Sequence, residues 1–177
     1  MGDPWFGVVP PQPRPLSPWE RGARLRYTRL MPIAIRPLTL DDRAAWEPLW
    51  AGYLAFYKAT IPAEVTDTTW ARLHDATEPM HALGAFEGGR LVGIVHLVFH
   101  RSTWTAGPYC YLQDLFTAEE ARGRGVGRAL IEAVYARARE EGASRVHWLT
   151  HETNAEARLL YDRIADRSGF IQYRKLL

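Results

Sequence analysis

ARGRGVGRALIEA, residues 121–133, combines a basic, glycine-rich turn with the start of a helix. Three arginines and three glycines fall within positions 122–128, and Leu130 and Val134 then continue an apolar helical spacing from Val126. Each glycine costs about 1 kcal/mol inside a helix, so three of them here need a physical reason. Free backbone N–H groups, the helix dipole and the arginine side chains all favour a negatively charged ligand. The stretch therefore predicts an anion site, for which a pyrophosphate is a natural ligand.

Three known kinds of anion-binding sequence fit this turn less well. No Gly-Lys-Ser/Thr follows it, so it is not a P-loop. The dinucleotide fingerprint opens the first strand–helix unit of a doubly wound sheet, which this turn does not. An RNA-binding arginine-glycine box is a poor match because the stretch runs into an amphipathic helix. For the turn taken alone, a helix start with solvated arginines stays an open alternative.

Length and composition indicate one folded domain. The chain has 177 residues and is 47% hydrophobic, enough to bury a single core. Cys110 is the only cysteine, so no internal disulfide can form, which fits a reducing compartment. We find no secretion signal and no apolar run near the roughly 20 residues of a membrane span. We expect a cytoplasmic protein with no membrane partner.

The first 32 residues differ in composition from the remainder of the chain. They contain seven of the twelve prolines, so they cannot form a regular helix or a central strand. We expect residues 1–32 to form an extended or disordered arm and residues 33–177 to form the domain. Positions 1–30 carry five arginines against two acidic residues, whereas the remaining chain has 17 basic and 18 acidic residues. This near-neutral body gives no overall signal for nucleic-acid binding.

Strand and helix patterns alternate after the arm. In chain order the sequence predicts a strand at 33–38, helices at 40–58 and 66–75 (the second capped by Thr66 or Asp67), a hairpin at 81–99 turning at Gly88-Gly89, a strand at 109–117, a helix up to about Glu141 stopped by Gly142, a strand at 145–150, a helix at 154–165 and a strand at 169–175. This order, with a central hairpin, implies a mixed α/β sheet with helices on both faces.

Two blocks of the chain resemble one enzyme family. RGRGVG, residues 122–127, matches the R/Q-x-x-G-x-G/A signature of the GNAT superfamily of acyl-CoA N-acyltransferases. YLQDLFTAEEARGRGVGRALIEAV (111–134) is similar to spermidine/spermine and thialysine acetyltransferases. THETNAEARLLYDRIADRSGFIQYRK (150–175) resembles a fungal and bacterial branch of histone- or polyamine-type acetyltransferases. The resemblance covers about residues 33–175 and implies a GNAT-like, mostly antiparallel mixed sheet with a splayed central strand pair.

The resemblance also implies roles for individual residues. Acetyl-CoA would be the acetyl donor, with the strand backbone along its pantetheine arm and the 122–128 backbone around its pyrophosphate. The Leu115 N–H would polarise the acetyl carbonyl, Asn154 would contact the cofactor arm, and Tyr161 would protonate the departing thiolate. The implied cofactor-binding residues are Leu115, Phe116, Thr117, Arg122, Gly123, Arg124, Gly125, Val126, Gly127, Arg128, Asn154 and Tyr161. A plain helix cap for Asn154 and a core position for Tyr161 remain alternatives.

The general base stays unassigned at this point. An amine with a pKa near 10 must lose a proton before it attacks a thioester. The spermine-type enzymes place a glutamate where this chain has Gln113, which cannot accept that proton. Asp114 is adjacent and should point to the opposite face of the strand. A water relay, Asp114 carried on a local bulge, or Glu152 could replace the missing base.

Acceptor specificity should come from the first helices and the neighbouring loops. Tyr53 and Tyr57 are candidate substrate contacts, together with Gln113, Asp114 and Glu152, although tyrosines at this helical spacing are also typical of a core. Glu64 and Asp67 are predicted in a loop, where they could hold a cationic tail. The loop residues 100–104 could line the entrance to the same acceptor site. His96 and His100 lack partners at metal-ligand spacing, so we predict no metal.

These observations predict an enzyme that transfers acetyl directly from acetyl-CoA to a primary amine of a small molecule, such as a polyamine or an amino acid. A protein lysine or N-terminus is the second acceptor class. A non-catalytic acyl-CoA-binding module is the competing kind of protein, favoured by Gln113 and disfavoured by Tyr161. We expect a homodimer with no nucleic-acid partner.

Overall fold

The structure is a computed structural model that describes residues 32–177. The predicted arm, apart from Pro32, lies outside the described residues. The elements in chain order are β1 Ile33–Pro37, α1 Arg43–Phe56, α2 Ala63–Leu73, β2 Met80–Glu87, β3 Arg90–His100, β4 Tyr109–Thr117, α3 Val126–Glu140, β5 Arg145–His147 and α4 Ala155–Ile164.

The five strands form one sheet in the order β1-β2-β3-β4-β5. Every neighbouring pair is antiparallel except β4 and β5, which run parallel. The predicted mixed, mostly antiparallel α/β sheet is confirmed. The two-residue turn between β2 and β3 is also as predicted, since Gly88 and Gly89 have φ angles of 57° and 83°, which suit glycine.

The parallel pair separates soon after it forms. β4 pairs with β5 only at Tyr109–Tyr111, opposite Arg145–His147. The predicted strand at 145–150 therefore ends three residues early, and β4 has no strand partner on this side from Leu112 to Thr117. A V-shaped opening results between β4 and the chain that follows β5.

Helices cover both faces of the sheet. His96 meets Trp46 of α1, whereas a Cβ at Gly93 would meet Val126 and Leu130 of α3. Positions 93 and 96 lie three residues apart in one strand, so the two helices pack on opposite faces. On the α1 side, the ring of Trp46 lies 5.7 Å from that of Trp50 and 4.8 Å from that of Trp70 of α2. This aromatic cluster fixes both helices above β3 and β4.

The predicted last strand is wrong. Residues 165–177 contain no helix or strand, and Phe170 and Tyr173 are 83% and 89% exposed. A β-favouring composition needs a neighbouring strand to take its backbone hydrogen bonds. Within the described residues no strand offers one to this segment, so the splayed pair lies at the edge of the sheet.

The start of α2 also differs from the prediction. The helix begins at Ala63 with Pro62 at its cap position, so neither Thr66 nor Asp67 is the N-cap. Proline has a fixed φ that suits the entry to a helix, and this preference outweighs the side-chain caps further along. Glu64 and Asp67 consequently lie within α2 and not in a loop.

Candidate active site

A cleft of about 500 Å³ opens where β4, the turn before α3, and α4 meet. Eleven of the twelve residues that the sequence predicted around the cofactor line it. These eleven are Leu115, Phe116, Thr117, Arg122, Gly123, Gly125, Val126, Gly127, Arg128, Asn154 and Tyr161. Tyr57 and Phe56 from the end of α1 line the cleft as well.

The glycine turn presents backbone donors to this cleft. Gly123 and Gly125 have left-handed φ angles of 68° and 84°, and a Cβ at either would meet nothing within 4 Å. The N–H groups of residues 123–128 find no backbone acceptor in the described part of the chain, and Gly125 caps α3 without a side-chain hydrogen bond. Unpaired N–H groups at a helix N-terminus suit phosphate oxygens. The turn therefore fits a pyrophosphate.

The three arginines of the turn have different neighbours. Arg124 is ion-paired with Glu87 at the end of β2 and does not line the cleft. The Nε of Arg122 donates to the Thr117 carbonyl at 3.3 Å. Arg128 is exposed, and its closest acidic group is that of Glu132 at 3.8 Å. Arg122 and Arg128 are the ones placed to reach an anion.

We expect Gly125→Val to weaken acetyl-CoA binding roughly 10–100-fold, because a branched side chain intrudes where one or two charge-assisted hydrogen bonds form. Calorimetric titration measures the effect. Gly89→Val is the matched control, because Gly89 has nearly the same φ, 83°, and the same free space but lies in the β2–β3 turn. Arg124→Ala should bind almost normally. Equal affinities for both valine variants would remove the anion-turn hypothesis.

Asn154 and Tyr161 bring α4 to the cleft. Asn154 Nδ2 donates to the Thr150 hydroxyl at 3.1 Å, and the side chain makes no capping hydrogen bond to α4. Its plain helix-cap alternative is thus not supported. The Tyr161 ring packs edge-on against Trp148, with centroids 5.4 Å apart. Burial, and then the neighbouring Tyr57, raise the pKa of Tyr161 to about 12, so its hydroxyl is protonated at neutral pH.

Asp114 sits immediately after a bulge in β4. In the pairing with β3, His96 is opposite Asp114 while Leu97 is opposite Leu112, so Gln113 is the extra residue. Asp114 is 9% exposed, whereas Gln113 is exposed. The bulge that the sequence left open as one way to place Asp114 is present, and it turns this carboxylate toward α1.

A buried hydrogen-bonded chain holds the Asp114 carboxylate. Trp46 Nε1 donates to His96 Nε2 at 2.9 Å, and His96 Nδ1 lies 2.9 Å from Asp114 Oδ2. An indole N–H can only donate, so His96 Nε2 must be the acceptor. The proton of a neutral imidazole then sits on Nδ1 and is donated to the carboxylate. The Asp114 carboxyl is thereby fixed in orientation as a hydrogen-bond acceptor.

Tyrosines surround the open side of this carboxylate. Burial, followed by the charge of Asp114, raises the pKa of Tyr53 far above its usual value, and the same two causes act in the same order on the pKa of Tyr111. Burial likewise raises the pKa of Tyr57. These phenols are neutral at physiological pH and can donate to, or accept from, a polar substrate.

Several predicted residues lie apart from this group. Glu152 is exposed and does not line the cleft. Asp67 bonds Arg43 at 2.7 Å, so its charge is already engaged. Cys110 is buried, and burial raises the pKa of its thiol to about 11, which makes it a poor nucleophile. No group of three or more possible metal-ligating side chains occurs within residues 32–177.

His96 is the functional residue that sequence reasoning missed. It was considered only as a metal ligand. The available signal was its place as the one polar side chain in the apolar run LVGIVHLVF of β3. A buried imidazole requires hydrogen-bond partners, and Trp46 and Asp114 supply them.

Comparison with known proteins agrees with this architecture. Residues 46–165 match the family model of the "Acetyltransferase (GNAT) family". The D-amino-acid N-acetyltransferase HPA3 of Saccharomyces cerevisiae is 38% identical over 145 residues, which is 81% of this chain and 90% of that protein. A thialysine N-epsilon-acetyltransferase of Caenorhabditis elegans is 31% identical over 85 residues, 48% of this chain and 52% of that one. The ribosomal-protein-alanine N-acetyltransferase structure from Brucella melitensis biovar Abortus 2308 matches with a TM-score of 0.68 and 25% identity, covering 82% of this chain and 100% of that one.

The splayed sheet, the glycine turn at the N-terminus of α3 and the family match together identify an acyltransferase. The chain belongs to the GNAT acetyltransferase family and is an N-acetyltransferase. None of its described helices is long and apolar enough to cross a membrane.

Proposed function

We propose that this enzyme transfers the acetyl group of acetyl-CoA to the primary amine of a small molecule by direct attack. The observation that carries the proposal is that Tyr57 connects the two parts of the site. Tyr57 lines the cleft that contains the glycine turn, and, besides burial, the charge of the buried Asp114, which is bonded to His96, acts on the pKa of its phenol. Acetyl-CoA supplies the activated acetyl thioester, and the chain's own groups bind it, orient it and move protons.

Each proposed role follows from position. The N–H groups of residues 123–128 bind the pyrophosphate, and the backbone of Leu115 to Thr117 lies along the pantetheine arm. The Leu115 N–H polarises the acetyl carbonyl. Asp114, directly or through one water, takes the proton that the attacking amine loses. Tyr161 donates its proton to the sulfur as the carbon–sulfur bond breaks.

An amino acid fits this site better than a polyamine does. A polyamine has further positive charges that need acidic partners. Of the two residues considered for that purpose, Asp67 accepts a hydrogen bond from Arg43, and Glu64 is exposed on α2 and does not line the cleft. Asp114 is the only acidic side chain in the buried core of the described residues. The similarity to a D-amino-acid N-acetyltransferase supports the same choice.

An assay with acetyl-CoA, a panel of amines and a thiol reagent tests the proposal. We expect thiol release that depends on a small amine, from the full chain and equally from a chain starting at Met31. Thiol release only with a peptide acceptor, through its lysine side chain or its free N-terminus, would favour a protein acetyltransferase. Acetyl-CoA binding without any release would mean a non-catalytic binding module.

We further propose that the protein is a cytoplasmic homodimer. A single cysteine fits a reducing compartment. The segment 169–177 exposes Phe170, Ile171, Tyr173 and Leu176, and such an apolar run is typical of a contact surface. Sedimentation equilibrium should give a dimer mass for the full chain and a monomer mass for a chain ending at Arg167. A monomeric full chain would contradict the proposal.

A further inference from the structure

A second group of polar side chains lies on the same sheet face as Asp114, farther along the strands. His96, Val98 and His100 alternate along β3 and therefore share that face. His100 is opposite Tyr109, which pairs with Arg145 of β5. Val98 is opposite Tyr111, which pairs with His147. The side chains of β3, β4 and β5 thus extend the Asp114 end of the site toward the sheet edge.

Direct contacts join these side chains into one cluster. His100 Nε2 and His147 Nε2 are 3.2 Å apart. The His147 ring stacks on Tyr111, with centroids 5.0 Å apart and an angle of 24° between the ring planes. The Arg145 guanidinium lies 3.8 Å from the centre of the Tyr109 ring. His147 and Tyr111 are half-buried while His100 and Arg145 are exposed, so the cluster opens to solvent.

The hydrogen bonds define how the two imidazoles share protons. His100 Nδ1 lies 3.0 Å from the Arg101 carbonyl, which can only accept, so Nδ1 carries the proton of the neutral ring. His100 Nε2 then accepts from His147 Nε2–H. A carboxylate can take the place of His100 Nε2 as the acceptor of His147 Nε2–H, and the Arg145 guanidinium adds its positive charge to the same cluster.

No acidic side chain balances this cluster within residues 32–177. None of His100, His147 and Arg145 forms an ion pair with a described carboxylate. The pKa of His147 is lowered by burial and then by His100 and Arg145, so the charged groups around it are cationic. Donors of this kind, left without an acidic partner, are suited to an oxyanion.

We propose that His147, His100 and Arg145 bind the carboxylate of an amino-acid acceptor whose amine is held at Asp114. The inference rests on the proposed function and names its substrate class. One alternate strand position, about 7 Å, separates the level of His96–Asp114 from that of Tyr111–His147. An α-amino acid with a hydrogen bond of about 2.9 Å at each end spans that distance. Tyr111 lies between Asp114 and His147, where its ring can pack against the substrate.

A substrate comparison tests the carboxylate subsite. The L and D forms of several amino acids are assayed as acceptors, and each is compared with its own carboxamide. The carboxamide keeps the amine and lacks the negative charge. We expect kcat/KM for the acid to exceed that for the amide roughly 10–100-fold in the wild type, the usual worth of hydrogen bonds to a charged group. In His147→Gln the ratio should fall to about 1, mainly through a higher KM for the acid.

His81→Gln is the matched control. His81 is a half-buried imidazole opposite Leu97 and lies on the other face of the sheet, so the acid-to-amide ratio should not change. If His147→Gln melts early, Arg145→Gln makes the same comparison. An unchanged ratio in these variants, or equal use of acid and amide by the wild type, would overturn the subsite while acetyl transfer itself persists. If no amine supports turnover, calorimetry measures the affinities of the acids and the amides in the presence of coenzyme A. Equal affinities, or no binding of either, would overturn the subsite.

Discussion

Tyr161→Phe is expected to lower kcat by roughly 10²–10⁴-fold, the usual cost of losing a general acid. The phenylalanine ring keeps its packing against Trp148, and only the hydroxyl is lost. Melting temperature and acetyl-CoA affinity should therefore stay close to the wild-type values. Steady-state kinetics, thermal melting and calorimetry measure the three quantities on the same preparation.

The pH dependence of the wild type gives a second test of this role. The pKa of Tyr161 is raised from 10 to about 12, so its proton is present below that pH and is lost only above it. The rate should accordingly show no alkaline decline from this group between neutral pH and about pH 11. Full activity of Tyr161→Phe would instead assign proton delivery to water, and an unfolded variant would make Tyr161 a core residue.

Asn154→Ala supplies the contrast to Tyr161→Phe. Its amide lies in the same cleft and donates to the Thr150 hydroxyl, and an amide N–H is too weak an acid to protonate the leaving sulfur. This variant should bind acetyl-CoA more weakly while kcat changes less. Two variants on one helix then separate binding from chemistry.

Asp114→Asn should also lower kcat/KM by roughly 10²–10⁴-fold, because an amide cannot take the amine proton. The substitution preserves shape, and the amide oxygen can still accept from His96 Nδ1. The remaining activity should rise as the assay pH approaches the pKa of the free amine, near 10, since more acceptor is then already deprotonated. Wild-type activity should depend less steeply on pH over the same range.

Glu152→Gln is the control for this experiment. It removes the other carboxylate considered as the base, but Glu152 is exposed, whereas Asp114 is buried and bonded to His96. We expect near-normal activity. If Glu152→Gln loses activity and Asp114→Asn keeps it, the base has been assigned to the wrong residue. If both variants stay active, a water deprotonates the amine.

The parts of the fold set by local sequence were predictable. The strand 109–117 has the bounds that its pattern predicted, and the Gly88-Gly89 turn and the Gly142 stop follow from backbone angles that glycine tolerates. The family resemblance named most of the residues that line the cleft, because they lie in one continuous turn and at Asn154 and Tyr161, seven positions apart at the start of α4 and within it.

The acceptor half depends on contacts between distant residues. The Trp46–His96 bond joins residues 50 positions apart, and the His96–Asp114 bond joins residues 18 apart. A bulge moves every later side chain of a strand relative to its neighbour, and alternation alone cannot locate it. The segment 169–175 failed for a related reason, since its composition favours a strand but cannot provide the partner.

Because β4 and β5 separate, the stability of the folded enzyme should depend on the concentration of its acetyl-CoA substrate. On the side facing β5, the six residues Leu112–Thr117 have no strand partner within residues 32–177. In the proposed binding mode, the pantetheine arm, with amide groups of its own, would complete that edge much as an added strand would. A ligand that binds only the folded chain and is present at 100 times its Kd adds about 2.7 kcal/mol to the free energy of unfolding. Acetyl-CoA bound in this way would stabilise the fold as well as react, and we expect a cell depleted of it to retain less of this enzyme in native form.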